Sequence, residues 1–268
     1  MLSQASDFRD ESRALHALLA PLGEAELAEP TLFKGWTPND IVAHLDQFNR
    51  MADLSLVDEA RFHAEAREIM APVEQGVNIR EVTRRMYGEL WGRALLEHWR
   101  EGFEDIAARW LHADPKQRLP WFGPSMSARS SMTARLMETW AHGQAAYDLR
   151  GVERIDEDRI RNIVVLGVNT FGWTFQNRGL DVPATLPHLV LTAPSGGIWE
   201  FNDARDDERI EGLASEFCQV VTQVRSVGDT SLAVTGVVAN RWMAIAQCFA
   251  GQVETPPAPG VRHRRERA

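Results

Sequence analysis

The chain is poor in cysteine, in clustered positive charge and in long apolar runs, and each shortage removes a class of explanation. Among 268 residues only Cys218 and Cys248 carry thiols. They form neither a disulfide framework nor a Cys-x-x-Cys site, so a reducing cytoplasm is the expected compartment. Lys and Arg number 29 against 38 Asp and Glu, a net charge of -9. That balance argues against a nucleic-acid face, because phosphate contacts demand clustered cations. The one basic cluster is the terminal "RHRRERA", read as a solvated tail. No window reaches the ~18 apolar residues of a membrane span. The start, "MLSQASDFRDESRALHALLA", sets Asp7, Arg9, Asp10 and Glu11 ahead of its apolar run, unlike a signal peptide. A Gly-rich phosphate loop of the usual form is missing. So is G-x-S-x-G, since "PSGG" at 194–197 sits in a hairpin turn.

What is present reads as helix up to about residue 180. "SQASDFRDESRALHALLAPLG" places Phe8, Leu15, Leu18 and Leu19 on one stripe and stops at Pro21 and Gly23. Thr37 is a credible N-cap, with Pro38 at the first helical position and Asp40 close behind. The helix it opens is expected to run through residues 39–66, with Ile41, His44, Leu45, Phe48 and Ala52 on one face. A third run covers 79–113, with Met86, Leu90, Leu95 and Trp99 in register, and Asp114-Pro115 ends it. A loop, "QRLPWFGPSMS", precedes a fourth helix that Ser127 or Ser130 can cap and that ends near Arg150-Gly151. A fifth helix is expected over 156–179. Composition then changes: "HLVLTAPSGGIWEF" signals a hairpin, "IEGLASEFCQVVTQVRS" a helix, and "TSLAVTGVVANRWMAIAQCFAG" a short strand followed by a last helix. The expected fold class is therefore α+β: a helical bundle over 1–180, a small α+β domain over 181–254, and a flexible basic tail over 255–268.

Three polar groups interrupt apolar helical stripes: His44 in "DIVAHLDQF", and Glu138 with His142 in "ARLMETWAHG". Glu138 and His142 are one turn apart and share a helix face. Taken singly, each has a bland reading, as a hydrogen-bonded core histidine or a helix-stabilising pair. If the second and fourth helices face each other, all three converge, and two imidazoles with one carboxylate suit a divalent transition metal with an open position. A cation would also relieve the cost of burying them unpaired. The loop before the ligand helix is open to two readings. It is either a capping loop packed by Trp121 and Phe122, or a pocket rim whose Trp121, Ser127, Arg129 and Ser130 contact a substrate. Arg135, three residues from Glu138, reads as a solvated helix charge first and as a group reaching the pocket second; Trp36 reads as core, and Trp140 as core or cavity wall. Cys218 reads as inert packing.

The combination "GWTPNDIVAHL" with "RLMETWAHG" resembles the DinB-like superfamily, and within it the branch of the mycothiol-dependent maleylpyruvate isomerases. The nearest similarity is to a metal-binding group with a "PW-aromatic-GP-x-MS" loop, here "PWFGPSMS", and a "G-x-A-x-[DE]-F-C-x-x-V-T-Q" segment, here "GLASEFCQVVTQ". The resemblance covers nearly the whole chain and implies an N-terminal DinB-like up-down helical bundle. It also implies that His44, Glu138 and His142 hold a divalent metal, zinc by preference. Ala145 and Asn49 depart from the acidic residues that relatives carry, which leaves Asp46 and Asp148 as candidates to orient the metal-bound histidines. The implied function is a cytoplasmic metal-dependent isomerase or thiol transferase. It would act on a small carbonyl or unsaturated acid with a low-molecular-weight thiol, mycothiol or glutathione. A metal-dependent hydrolase or lyase working through water, and a metal- or ligand-binding protein without turnover, stand as alternatives. The expected partners are a small-molecule substrate and, as an open option, a second copy in a homodimer; neither nucleic acid nor membrane is expected.

Overall fold

The structure, a computed structural model, describes residues 1–266; Arg267 and Ala268, the end of the basic tail, lie outside the described residues. Helices dominate and a small mixed sheet accompanies them, so the chain adopts the α+β class. It divides into two compact units, residues 1–146 and the remainder from Tyr147. No described helix is long and apolar enough to cross a membrane.

The first unit opens with α1 (Ser3–Leu19) and the single turn α2 (Glu24–Leu27), followed by α3 (Pro38–Val57), α4 (Glu59–Glu74), α5 (Ile79–Tyr87) and α6 (Gly92–Trp110). A two-residue antiparallel ladder, β1 (Arg118–Leu119) with β2 (Met126–Ser127), brackets the Pro-Trp-Phe-Gly-Pro segment and leads into α7 (Ala128–Arg150). Both α1 and α3 pack on α6. Their apolar stripes meet in one core containing Phe8, Leu15, Ile41, Leu45, Leu95, Trp99 and Trp110.

The start of α3 is set by chemistry within four residues. Thr37 Oγ1 accepts the Asp40 N–H at 3.2 Å, while Asp40 Oδ2 accepts the Thr37 N–H at 2.8 Å, a reciprocal cap behind Pro38. The Asp40 side chain is fully buried and takes further bonds from Arg80 at 2.6 Å and from Arg84 at 2.6 and 3.0 Å. The helical register of α3 is thereby tied to α5.

Two long helices expected from periodicity are broken. The 39–66 run stops at Asp58, whose carboxylate accepts the Arg61 N–H at 3.0 Å and starts α4. The 79–113 run parts between Tyr87 and Gly92, where Gly88 adopts φ +55°, a left-handed value that glycine takes without penalty. Met86, placed on the buried stripe by that uninterrupted register, is accordingly 40% exposed, whereas Leu95 and Trp99 are buried.

The second unit contains a 3₁₀ turn at Asp158–Ile160, then α8 (Arg161–Asn169), α9 (Phe171–Gln176), β3 (His188–Thr192), β4 (Ile198–Phe201), β5 (Arg209–Leu213), α10 (Ala214–Val221), β6 (Ala233–Thr235) and α11 (Val237–Ile245). The sheet order is β4-β3-β5-β6; β3 and β4 form the antiparallel hairpin read from the sequence, and β5 runs parallel to β3. The segment read as one helix from Ile210 is thus strand first, with Ile210 buried on the sheet. The helix expected over 156–179 divides at Thr170, whose hydroxyl bonds back to Leu166 O at 2.7 Å. Contacts put α8 and α9 with the second unit, although composition set the domain boundary near 180. Phe171 meets Trp242 at 5.0 Å, and a Cβ on Gly167 would lie 3.0 Å from Phe217. Cys218 is buried in this core, and burial pushes its thiol well above the ordinary range, as inert packing requires. The segment read as a flexible tail is bonded to the unit: Arg262 Nη1 donates to Gln223 O at 2.6 Å and the Arg265 N–H to Asp148 O at 2.8 Å.

Asp40→Asn is expected to destabilise the protein by about 3 kcal/mol at neutral pH, the low end for breaking a buried ion pair because both arginines reach solvent. Burial alone would raise the Asp40 pKa, but the bonds from Arg84, Arg80 and Thr37 outweigh it and hold the value below the ordinary one. The stabilisation is therefore complete above the unfolded-state pKa of ~4 and is lost as pH falls through the lower folded value. Urea unfolding of both proteins at pH 7 and near pH 3 should show the gap closing on acidification.

Candidate functional site

His44 stands one turn beyond Asp40 on α3, and Glu138 and His142 stand one turn apart on α7. The structure brings these three sequence-predicted residues together. Glu138 Oε2 lies 3.4 Å from His44 Nε2 and 3.0 Å from His142 Nε2. One ligand atom from each lies within 4.8 Å of the others, the only such His/Cys/Asp/Glu group among the described residues. Their side chains keep only 12%, 19% and 15% exposure for His44, Glu138 and His142.

Burial controls the charges. It drives the His44 imidazole down to about 4, opposed by its bond to Glu138 and aided by the positive charges of His142 and Arg135. Burial would push Glu138 up, but the hydrogen bonds from His142 and His44, with the charges of His142 and Arg135, carry it well below the usual carboxylate value. At neutral pH the pocket thus offers a neutral His44 nitrogen and an ionised carboxylate oxygen, the protonation states a metal ion takes.

The donor set fits a divalent cation on a second count. Both Nε2 atoms address a single carboxylate oxygen, so the three donors point at one place. Two imidazoles and one carboxylate can ligate zinc and leave a fourth position open.

Aromatic rings wall the group. Trp36 stacks on His142 at 5.6 Å with planes 6° apart and meets His44 edge-on at 5.3 Å. Phe33 meets His142 at 5.0 Å, and Phe48 meets His44 at 4.7 Å. Trp36 was read from the sequence only as core. Its place directly before Thr-Pro-Asn-Asp, which sets the first turn of the His44 helix, is the signal that marks it. Trp140 is core, fully buried.

The other candidates divide. Trp121 stacks on Phe62 at 6.1 Å and carries the Arg135 guanidinium 5.0 Å over its ring. Ser127 and Ser130 are engaged with each other: Ser127 Oγ accepts the Ser130 N–H at 3.1 Å and lies 2.9 Å from its hydroxyl, which caps α7. At 1.5 Å per residue, Ser130 is about 12 Å from Glu138 along the helix. Arg129 is exposed. The contacts of Ser127 and Ser130 are those of the capping reading of the loop. Asp46 accepts the Tyr87 hydroxyl at 2.6 Å and faces His98 at 3.4 Å, so it does not satisfy His44 Nδ1. Asp148 accepts from Arg225 at 2.6 Å within the second unit. Arg135, read as solvated, is 4% exposed. Asn49 on α3 is likewise buried, with neither Oδ1 nor Nδ2 paired.

A family model described as the mycothiol maleylpyruvate isomerase N-terminal domain matches residues 8–147, just over half of the chain and all of the site. The chain belongs to that family. Two relatives are proteins of Mycobacterium tuberculosis, strains CDC 1551 / Oshkosh and H37Rv, each named only as uncharacterised. Each is 37% identical over 256 residues, covering 95% of this chain and 96% of the relative. A crystal structure of a mutant mycothiol-dependent maleylpyruvate isomerase shares the fold at a TM-score of 0.50 and 15% identity, covering 81% of this chain and 87% of that one. Membership in the maleylpyruvate isomerase family accords with the DinB-like bundle expected from the His44 and Glu138 motifs.

Because Trp36 is 7% exposed and braces both histidines, Trp36→Ala is expected to cost about 3–5 kcal/mol. Guanidinium unfolding measures that loss, and the ring-proton resonances of His44 and His142 should shift out of proportion to those of His63 on α4.

Proposed function

We propose that this chain is a metal-dependent enzyme that uses a low-molecular-weight thiol to act on a small carbonyl or unsaturated acid, as an isomerase or thiol transferase. The observation that carries the reading is the convergence of His44 Nε2, His142 Nε2 and Glu138 Oε2 inside an aromatic enclosure. Membership in a family described by mycothiol and maleylpyruvate isomerisation supports the thiol and the reaction class. Zinc bound there would supply a Lewis acid that favours thiolate over thiol and polarises a carbonyl.

This chain's own residues do the rest. His44 arrives with its proton already shed and Glu138 already charged, so ligation needs no proton release from either at neutral pH. Trp36, Phe33 and Phe48 exclude water on the sides they cover, which strengthens every charge interaction inside. The Trp36 stack also holds the His142 ring plane. A metal-binding protein without turnover is the second reading, favoured by His44 Nδ1, which lacks the orienting acceptor that metal-ligating histidines ordinarily have.

Two outcomes are expected. Purified protein carries near-stoichiometric zinc by elemental analysis, and His142→Ala or Glu138→Gln loses it while keeping its helical circular dichroism; a metal-free, stable wild type would sink the assignment. Zinc-loaded protein supplied with mycothiol or glutathione converts an unsaturated keto acid, followed by loss of its ultraviolet absorbance, and stops when thiol is removed. Conversion that continues without thiol points to the hydrolase or lyase alternative, and none with any thiol to the binding protein.

A further inference from the structure

Arg135 is a buried charge beside the proposed metal centre that supplies no ligand to it. It lies three residues before Glu138 on α7, so both side chains leave the same helix face about 5–6 Å apart at Cβ. Its Nε and Nη1 are buried without hydrogen-bond partners, and it forms no ion pair among the described residues. The guanidinium rests on aromatic faces, 5.0 Å from the Trp121 ring centre and 6.0 Å from Phe48, and Phe48 in turn lies 4.7 Å from His44. Ring contacts of this kind offset only part of the desolvation of a cation. Each unpaired donor, Nε or Nη1, forms with Nη2 one edge of the planar guanidinium, and such an edge matches the two oxygens of a carboxylate.

We propose that Arg135 is the anion-receiving group of this site, binding the carboxylate of a short acid whose carbonyl or alkene end faces His44, Glu138 and His142. The inference rests on the metal-centre reading and adds to it the residue that selects acids. One helical turn separates the two functions, so the ligand is a chain of only a few atoms between carboxylate and reacting group. Trp121 and Phe48 hold the guanidinium plane against rotation, and the exposed Arg129 has no such support.

The test titrates pyruvate and its amide, pyruvamide, into zinc-loaded and zinc-free protein by calorimetry, for wild type, Arg135→Gln and Arg135→Lys. Wild type should prefer pyruvate over the amide by at least about 10-fold, the range of a charge-assisted hydrogen-bond pair. Arg135→Gln should abolish the preference, and Arg135→Lys, charged but without the fork, should retain a fraction of it. Arg135→Gln should also melt no lower than wild type, since it removes an unpaired buried charge. A guanidinium that serves only to pack against Trp121 predicts a lower melting temperature with the pyruvate preference intact, and that result overturns the proposal. So does a wild type indifferent to pyruvate. Should the Gln variant fail to fold, the Lys variant carries the same comparison: an undiminished preference overturns the proposal and a reduced one supports it. Zinc bound normally with no effect of Arg135 fails the proposal alone. Protein that never binds zinc yet loses its pyruvate preference with Arg135 fails the metal reading alone.

Discussion

The geometry of the site depends on one buried carboxylate that is not part of it. Asp40 closes the first turn of α3 against Thr37 and is gripped by Arg80 and Arg84 of α5. Arg80 also donates to Gly35 O at 2.9 Å, the carbonyl that precedes Trp36. A single arginine–aspartate contact therefore fixes both the helix that carries His44 and the loop that presses Trp36 onto His142. Movement at Asp40 would reach the imidazoles from two directions at once. This explains how a centre built from distant stretches of chain can be held closely without a disulfide.

The same cap was the most readable feature of the chain, because Thr-Pro-Asn-Asp states its structure within four residues. The Glu138–His142 pair was legible for a similar reason, being a local fact about one helical turn. Helix breaks at Asp58 and Gly88 were not, since the apolar period continues across them and only the packing of α4 and α5 shows the need to turn. β5 was hidden because "RIEGL" runs directly into α10 with no turn residue between strand and helix. Arg135 was misplaced for another reason: which side of α7 faces α3 is a tertiary fact, and a charged residue near a helix face edge reads as solvated by default. The capping contacts of Ser127 and Ser130 were within reach, because a serine pair at this spacing before a helix is a local signal.

Within the pocket the charges act on one another. Burial and the Arg135 cation both disfavour a proton on His44, while the same cation favours the ionised form of Glu138. Arg135 thus adds a minor push toward the protonation pattern that burial and the two histidines set. Its aromatic supports, Trp121 and Phe48, come from the loop before α7 and from α3, so the loop contributes a ring to the interior and capping hydroxyls to the rim.

The make-up of the donor set has a consequence for which ion it would favour. Two imidazole nitrogens and one carboxylate oxygen contain no thiolate to favour a soft ion and no oxygen cage to favour calcium or magnesium. Sets of this kind follow the ordinary ascent in affinity from manganese to copper, with zinc just below copper. A site of this make-up would bind copper more tightly than zinc, so zinc would occupy it only where free copper is held far below free zinc as the chain folds.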